Sequence, residues 1–299
     1  MMDQDVHKWF DQVLAEARSH GVRDVEMAVA AGESSLTRFA NNTIHQNVSE
    51  ESCGVSIRVS IGKRTARAST NRLDRLAAAT RSAIDLARAS EPDDHLLPLF
   101  TPEPVTPINR WDPATAAASP AARAGAVRDA IAIVESSGHI AAGIYETVSS
   151  RYYLLNSNGV FARHDETGAT FSITATGRDS SGWAKQSAVH ASALDTAALA
   201  RQAAMKASRS ASPRRMDPGC HRVLLEPAAV LDFVGQIFPD CSATAIEEER
   251  SFLTGRLSDR IFGENITILD DVRHPLQEGA PFDGEGVPRH ALVLFRNGV

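Results

Sequence analysis

Cysteine is scarce, with three in 299 residues, at Cys53, Cys220 and Cys241. An odd, widely spaced set does not make a disulfide scaffold and suits a reducing compartment. Positive charge is not in excess. Lys plus Arg is 31 against 37 for Asp plus Glu, a formal net charge of −6. Phosphate binding relies on clustered Lys and Arg, and no helix-turn-helix cue is present, so direct DNA binding is not expected. No run reaches the ~20 consecutive apolar residues of a membrane-spanning helix. The opening MMDQDVHKWFDQ lacks the basic start and apolar stretch of a signal peptide. The expectation is a cytoplasmic chain without membrane contact, whose sequons at Asn41, Asn47 and Asn265 stay unglycosylated.

Catalytic motifs are also missing. The ten histidines are 7, 20, 45, 95, 139, 164, 190, 221, 274 and 290. The nearest two, His7 and His20, are 13 positions apart, whereas a helical zinc site needs two imidazoles one turn apart. Cys220 and His221 are neighbours, and adjacent side chains on a strand point to opposite faces. There is no Gly-x-Ser-x-Gly elbow, no phosphate-cradling glycine loop and no dinucleotide fingerprint; Gly284-Glu285-Gly286 lacks the third glycine.

What is present is 43% hydrophobic and 23% charged sequence, enough for a core. Val6, Phe10, Val13, Leu14 and Ala17 recur at helical spacing over 3–18, with Gly21 as the stop. Val25, Met27 and Val29 read as a strand, Gly32-Glu33 as a turn, and 36–39 and 44–48 as the next strands. Cys53, Val55, Ile57, Val59 and Ile61 alternate with polar or small residues, the pattern of a half-buried strand. Gly62-Lys63 turns it into a return strand over 65–70. A helix with Leu73, Leu76, Ala77, Ile84 and Ala87 on one face follows, with Asn71 as its cap. Six prolines between Glu91 and Pro113 predict an extended linker.

The outline then recurs. Ser119-Pro120 starts a helix that Gly138 stops. Strands are predicted over 140–147, 151–155, 160–164, 169–176 and 183–190, with Asn158-Gly159 as a hairpin turn. A helix over 195–207 closes the unit. Residues 208–219 form a second boundary. A strand over 221–225 and a helix from Pro227 follow, with Val230, Val234, Ile237 and Phe238 on its apolar face. Further strands are predicted over 265–269 and 291–295. The last strand enters an Asn297-Gly298 turn with no return partner, which predicts a chain shorter than the fold its pattern implies. The fold class is mixed α+β: antiparallel sheets flanked by helices in two similar N-terminal modules, then an incomplete β-rich C-terminal domain. The predicted boundaries are 1–91, a linker over 92–113, 114–212, and 219–299.

Among charged groups, Arg58, Lys63, Arg64, Arg67, Arg72 and Arg75 form a basic run. A solvated hairpin and helix face is the favoured reading, a contact for an acidic partner the sharper one. Glu247-Glu248-Glu249 and Asp270-Asp271 read as solvated turns. Phe282-Asp283-Gly284-Glu285-Gly286 alternates carboxylates with glycines that admit close backbone approach. It is assigned a specific structural role, with a ligand site as the alternative.

Three stretches resemble the TldD/PmbA (TldE) family, also called modulators of DNA gyrase. They are TRFANNTIHQNVSEESCGVSIRVSIGKRTARASTNRLD (37–74), SFLTGRLSDRIFGENITILDD (251–271) and PFDGEGVPRHALVLFRNGV (281–299). The resemblance implies a three-part mixed α/β fold. It also implies a zinc metallopeptidase ancestry, in which catalytic subunits carry His-Glu-x-x-x-His on a helix of the C-terminal domain. Counted without gaps from Pro227, those positions fall here on Gly235, Gln236 and Asp240. Glycine offers no ligand, and glutamine takes no proton at neutral pH. The resemblance thus implies a TldE/PmbA-type subunit with no catalytic or metal-binding residue of its own. Its implied partner is a zinc-bearing TldD-type subunit in a hetero-oligomer, and its implied substrate an unfolded peptide. Arg38, Arg58, Phe282, Asp283 and Glu285 are the candidate groove residues. The alternative is a truncated family remnant or a stand-alone interaction module.

Overall fold

The computed structural model describes residues 2–299. They divide into two compact units, residues 2–213 with 278–289, and residues 214–277 with 290–299.

The first unit is built on a single antiparallel sheet of six strands: β1 (Asp24–Ala40), β2 (Thr43–Ile61), β3 (Arg64–Thr70), β4 (Ile140–Asn156), β5 (Phe161–Thr176) and β6 (Ser181–Ala188), ordered β3-β2-β1-β4-β5-β6. The two sequence modules are therefore halves of one sheet, joined where β1 pairs with β4 from Glu26 opposite Asn156 to Phe39 opposite Gly143. The segment between them, 91–112, carries no helix or strand, only the bridge of Arg110 to Glu166.

Helices lie on one face. On α1 (Met2–Ser19), Val6, Phe10, Val13 and Ala17 are buried against Val25, Met27 and Val29 of β1. α2 (Leu76–Ala89) packs beside it with Leu76, Ala83, Ile84 and Ala87 buried. Arg75, not Asn71, occupies its cap position, and no side chain caps it. A four-residue turn of helix, α3 (Pro113–Ala116), precedes α4 (Pro120–Ser136), which Ser119 caps by accepting from the Ala122 N–H. α5 (Thr196–Arg209) is capped by Asp195. Val127, Ile131 and Val134 of α4 and Ala200, Ala203 and Ala207 of α5 form the second cluster with Phe39, Phe171 and Ile173. Alternation along a strand sends every second side chain to the opposite face, so the even-numbered residues of β1, β4 and β5, and those of β2 from Gln46 onward, look away from these helices; beyond the register shift at Arg38/Phe39, Ile44 of β2 packs on the helix side instead.

Several predicted breaks do not exist. Gly32-Glu33 is no turn: β1 runs through it, and a Cβ at Gly32 would lie 2.4 Å from the Ser149 carbonyl oxygen of β4. The turn sits at Asn41-Asn42, both at positive φ (51° and 59°), a conformation asparagine tolerates. The pieces predicted at 44–48 and 52–61 are one strand, as are those at 140–147 with 151–155 and at 160–164 with 169–176. Between the two apolar clusters the helix face of the sheet turns polar. Glu33 accepts from Ser35 (3.2 Å) and Ser49 (2.7 Å). The buried Arg123 donates to the Ala118 carbonyl (2.8 Å) and to Thr147 (3.1 Å). This belt interrupts the apolar alternation without interrupting the strands.

The second unit contains α6 (Pro227–Gly235), α7 (Ala243–Glu247) and a two-stranded antiparallel sheet of β7 (Ile268–Asp270) and β8 (Leu292–Phe295). The strand predicted at 221–225 is irregular chain, with Leu224 99% exposed. No residue of α6 is buried; of the predicted apolar face, Val234 and Ile237 are only partly covered, and Val230 and Phe238 are exposed. The strand at the chain's end pairs with β7. Its Asn297-Gly298 turn is tied down too: Arg296 N–H donates to the Val299 carbonyl (2.7 Å) and Gly298 N–H to that of Ile266 (2.8 Å). One edge of this strand is thus paired, by β7, which precedes it in the chain; among the described residues no strand after the turn returns to its other edge.

Candidate functional site

The helix-free face of the large sheet carries the charge chemistry. β1, β2 and β3 place Glu26 opposite Arg58, and Arg58 opposite Arg67, so three charged side chains from three strands stand in one row. Glu26 is 1% exposed. Arg58 Nη2 donates to Glu26 Oε2 at 2.7 Å, and Arg67 Nη2 to Glu26 Oε1 at 3.2 Å. Arg58 Nη1 reaches Glu285 Oε1 at 2.5 Å. Arg58 is thus a cation held between a buried carboxylate of the sheet and a half-exposed one from the loop at 282–286.

Burial raises the Glu26 carboxyl above its ordinary value, with Arg58 and Arg67 acting the other way. Burial pulls the Arg58 guanidinium down, and Glu26 and Glu285 more than offset it, leaving Arg58 a firmer cation than usual.

The loop that delivers Glu285 is fixed by its own chemistry. Asp283 Oδ1 accepts from the N–H groups of Glu285 and Val287, both at 2.9 Å. Gly286 sits at φ +88°, where a Cβ would meet Leu154 and Val160 at 2.9 Å. Phe282 is 3% exposed and stacks on Tyr152 of β4, centroids 5.9 Å apart. Asp283 therefore shapes the turn, Phe282 anchors it and Glu285 presents its charge. Beside this row lies a cleft of about 640 Å³ whose floor is Ala28, Ala30 and Gly54 and whose walls include Arg67, Ser69 and Tyr152. Small floor residues leave the sheet backbone approachable, and Arg67, 46% exposed, is the cation at its wall.

Further along the same face, His164 Nε2 lies 3.5 Å from Glu166 Oε2. The Glu166 carboxyl is held below its ordinary value, first by His164, against burial, with the Gly279 N–H and Arg110 assisting.

Of the predicted groove residues, Arg58, Phe282, Asp283 and Glu285 converge here. Arg38 does not. It is exposed and stands opposite Gln46 and Ile144 on β1, twelve residues or roughly 40 Å of strand from Glu26. The basic run is not one solvated face either, since Arg58 and Arg67 turn in to Glu26. Sequence reasoning passed over Glu26. Its signal was a single acid inside the apolar alternation Val25-Glu26-Met27, which needs a cation once that strand is buried.

In the second unit, Gly235 ends α6, Gln236 follows as its cap, and Asp240 lies in a short 3-10 turn, where its carbonyl accepts from Ser251 Oγ at 2.7 Å. A hydrolytic zinc needs nitrogen, sulfur or carboxylate donors around one point. Of these three positions only Asp240 has a side chain of that kind, so they do not fit the ion. Among the described residues no group of three or more His, Cys, Asp or Glu side chains is placed to hold a metal. Among the same residues no helix is long and apolar enough to cross a membrane.

Comparison with known proteins agrees with this architecture. Residues 25–87 match the PmbA/TldA metallopeptidase domain 1, residues 113–211 the central domain and residues 218–299 the C-terminal domain. The chain belongs to the PmbA/TldD family. An uncharacterized protein of Methanocaldococcus jannaschii is 32% identical over 151 residues, a stretch covering 49% of this chain and 35% of that relative. The chain therefore aligns with about a third of that relative's length. Among solved structures, a candidate modulator of DNA gyrase from Thermotoga maritima superposes with a TM-score of 0.89 at 20% identity, over 98% of this chain and 69% of that one. TldE from Thermococcus kodakarensis superposes at 0.86 and 18% identity, over 97% of this chain and 68% of that one. At such identities the structural likeness speaks for the fold alone.

Proposed function

We propose that this PmbA/TldD-family chain is a non-catalytic, TldE-type subunit that works beside a zinc-bearing TldD-type chain on unfolded peptides. One observation carries the reading: the positions that would hold His-Glu-x-x-x-His are Gly235, Gln236 and Asp240, inside the stretch matched by the family's C-terminal metallopeptidase domain. Such a subunit supplies binding surface and leaves bond cleavage to its partner. The helix-free sheet face suits that role. Its glycine and alanine floor lets an extended chain approach, and Arg67 and Tyr152 offer a charge and an aromatic edge at the wall. A sequence-tolerant binder works through main-chain contacts, with few side-chain pockets.

The test has two arms. Purified chain is analysed for zinc by mass spectrometry and assayed on an unfolded peptide. The expected result is substoichiometric zinc and no cleavage. A family chain carrying His-Glu-x-x-x-His is then added, and this chain is expected to co-purify with it and raise the rate of cleavage. Stoichiometric zinc with cleavage by this chain alone would refute the reading.

A further inference from the structure

The polar belt on the helix face opens into a cavity of about 320 Å³, the size of a small-ligand pocket. Register builds it. One row across the sheet holds Cys53, Ala31 and Arg151, and the next holds Glu51, Glu33 and Ser149. Ala31 leaves room at the floor, and Trp111 from the linker lines a wall. The two glutamates face each other directly, an unfavourable arrangement for like charges. Glu33 Oε1 takes the Ser35 and Ser49 hydroxyls. Among the described residues neither glutamate has an ion pair, and the Glu51 carboxylate accepts no hydrogen bond. Arg151 stands diagonal to Glu33, roughly 7–8 Å away on such a ladder, with its guanidinium over the Trp111 ring, 5.0 Å from the centroid. One row further along, beside Thr147, Arg123 is 1% exposed, and its Nε and Nη2 find no hydrogen-bond partner. The belt thus holds two carboxylates and two guanidinium groups that do not neutralise one another directly.

We infer that this cavity binds a free α-amino acid as its zwitterion. The ammonium bridges Glu33 and Glu51 and relieves their repulsion. The carboxylate takes N–H donors of Arg151, whose planar guanidinium carries five of them. An anion alone would meet the two glutamates, and a cation alone would meet Arg151, so a ligand carrying both signs is the one that satisfies both walls. Spacing agrees. The diagonal between Glu33 and Arg151 is too long for a direct ion pair, and the adjacent ammonium and carboxylate of one amino acid fill it with a hydrogen bond at each end. Its side chain then lies against Ala31, Cys53 and Trp111, which favours an apolar residue. The cavity is on the opposite face of the sheet from Glu26 and Arg58, so the inference does not rest on the functional reading above, although complete hydrolysis of a peptide releases ligands of this class.

The experiment is titration calorimetry of the purified full-length chain with L-leucine, leucinamide, N-acetylleucine and leucyl-leucine. Leucine is expected to bind. Leucinamide lacks the carboxylate, N-acetylleucine lacks the ammonium, and leucyl-leucine holds its charges further apart. Each should bind about tenfold more weakly or worse, because each forfeits a charge-assisted contact. Two variants separate the walls. Glu51→Gln should weaken leucine about tenfold and leave N-acetylleucine unchanged, and Arg151→Met should weaken leucine as much and leave leucinamide unchanged. Glu51 is exposed and Arg151 half-buried, and an unaltered circular dichroism spectrum confirms that each variant is folded. No binding of leucine at millimolar concentration would overturn the inference. So would equal binding of leucine and its blocked or extended forms, or leucine binding that neither substitution weakens.

Discussion

Replacing Arg58 by methionine isolates the ion network on the sheet. The substitution keeps much of the apolar stem and removes the charge. Glu26, 1% exposed, then keeps only Arg67, at 3.2 Å and half-exposed. Removing one partner of a buried pair costs about 3–5 kcal/mol. Arg67 places the expected loss near the lower end, about 3 kcal/mol. The Glu285 contact, to a half-exposed carboxylate, adds about 0–1 kcal/mol. For a unit of this size each kcal/mol moves the melting temperature by about 2–4 °C, so a drop of roughly 6–12 °C is expected.

Acid should change the outcome. The folded-state value of Glu26 already lies above its ordinary 4.5 because of burial. Removing Arg58 raises it further. A group that binds its proton more tightly when folded adds stability below its unfolded value and withdraws it as pH rises through the folded value. The deficit of the variant should therefore be largest near neutral pH and shrink as pH falls towards 4.5. Glu26→Gln combined with Arg58→Met should recover part of the loss, because no buried charge is left alone. Thermal melts of the wild type and both variants at pH 5 and pH 8 provide the check. A deficit under about 1 kcal/mol, or one that grows on acidification, would mean that Glu26 does not depend on Arg58.

Phe282→Ala removes the buried ring that stacks on Tyr152 and should cost about 3 kcal/mol in urea denaturation, with the 282–286 loop becoming protease-sensitive. Gly182→Ala places a Cβ 2.1 Å from the Ala203 carbonyl oxygen and 2.5 Å from the Ala207 nitrogen; a loss of roughly 2 kcal/mol from forced β6–α5 separation is expected, and an unchanged melting temperature would contradict that contact. Glu166→Gln runs opposite to the Arg58 variant in its origin: the Glu166 carboxyl is held low when folded, so its contribution is present above the ordinary carboxylate value and fades as pH falls through the folded one. The difference between wild type and this variant should be full at pH 7 and vanish in acid.

How far the sequence could be read depended on what each residue had to satisfy. The alternation over 53–61 with Gly62-Lys63, and the Ser119-Pro120 start with its Gly138 stop, were legible because each is decided by neighbours in the chain. The continuity of β1 through Gly32 was not, because that glycine answers to the Ser149 carbonyl of a strand more than a hundred residues away. The same holds for Glu33 and Ser49, polar residues that resemble a loop until each is seen to satisfy the other across the sheet. At the site, Arg58 and Glu285 could be singled out by type, but their meeting is fixed by a loop returning from 227 positions away. Glu26 was overlooked because its partners are set by register, which sequence pattern does not specify.

Proline placement gives the last step. The stretch from Pro92 to Pro113 marks a change of module in the sequence, and it has no regular structure. Yet the strands on either side of it pair over the whole span from Glu26 to Phe39, and segments of the stretch itself are used. Leu99 is 7% exposed, and Phe100 packs with Val160 and Phe282. Arg110 bridges to β5. Prolines exclude helix and central strand but leave carbonyls and side chains free to bind. The linker therefore works as a strap along the helix-free face, and the face that carries Glu26 and Arg58 is built from both sequence modules at once. A change in either module reaches the site through shared strands, without any need for the modules to move as separate bodies.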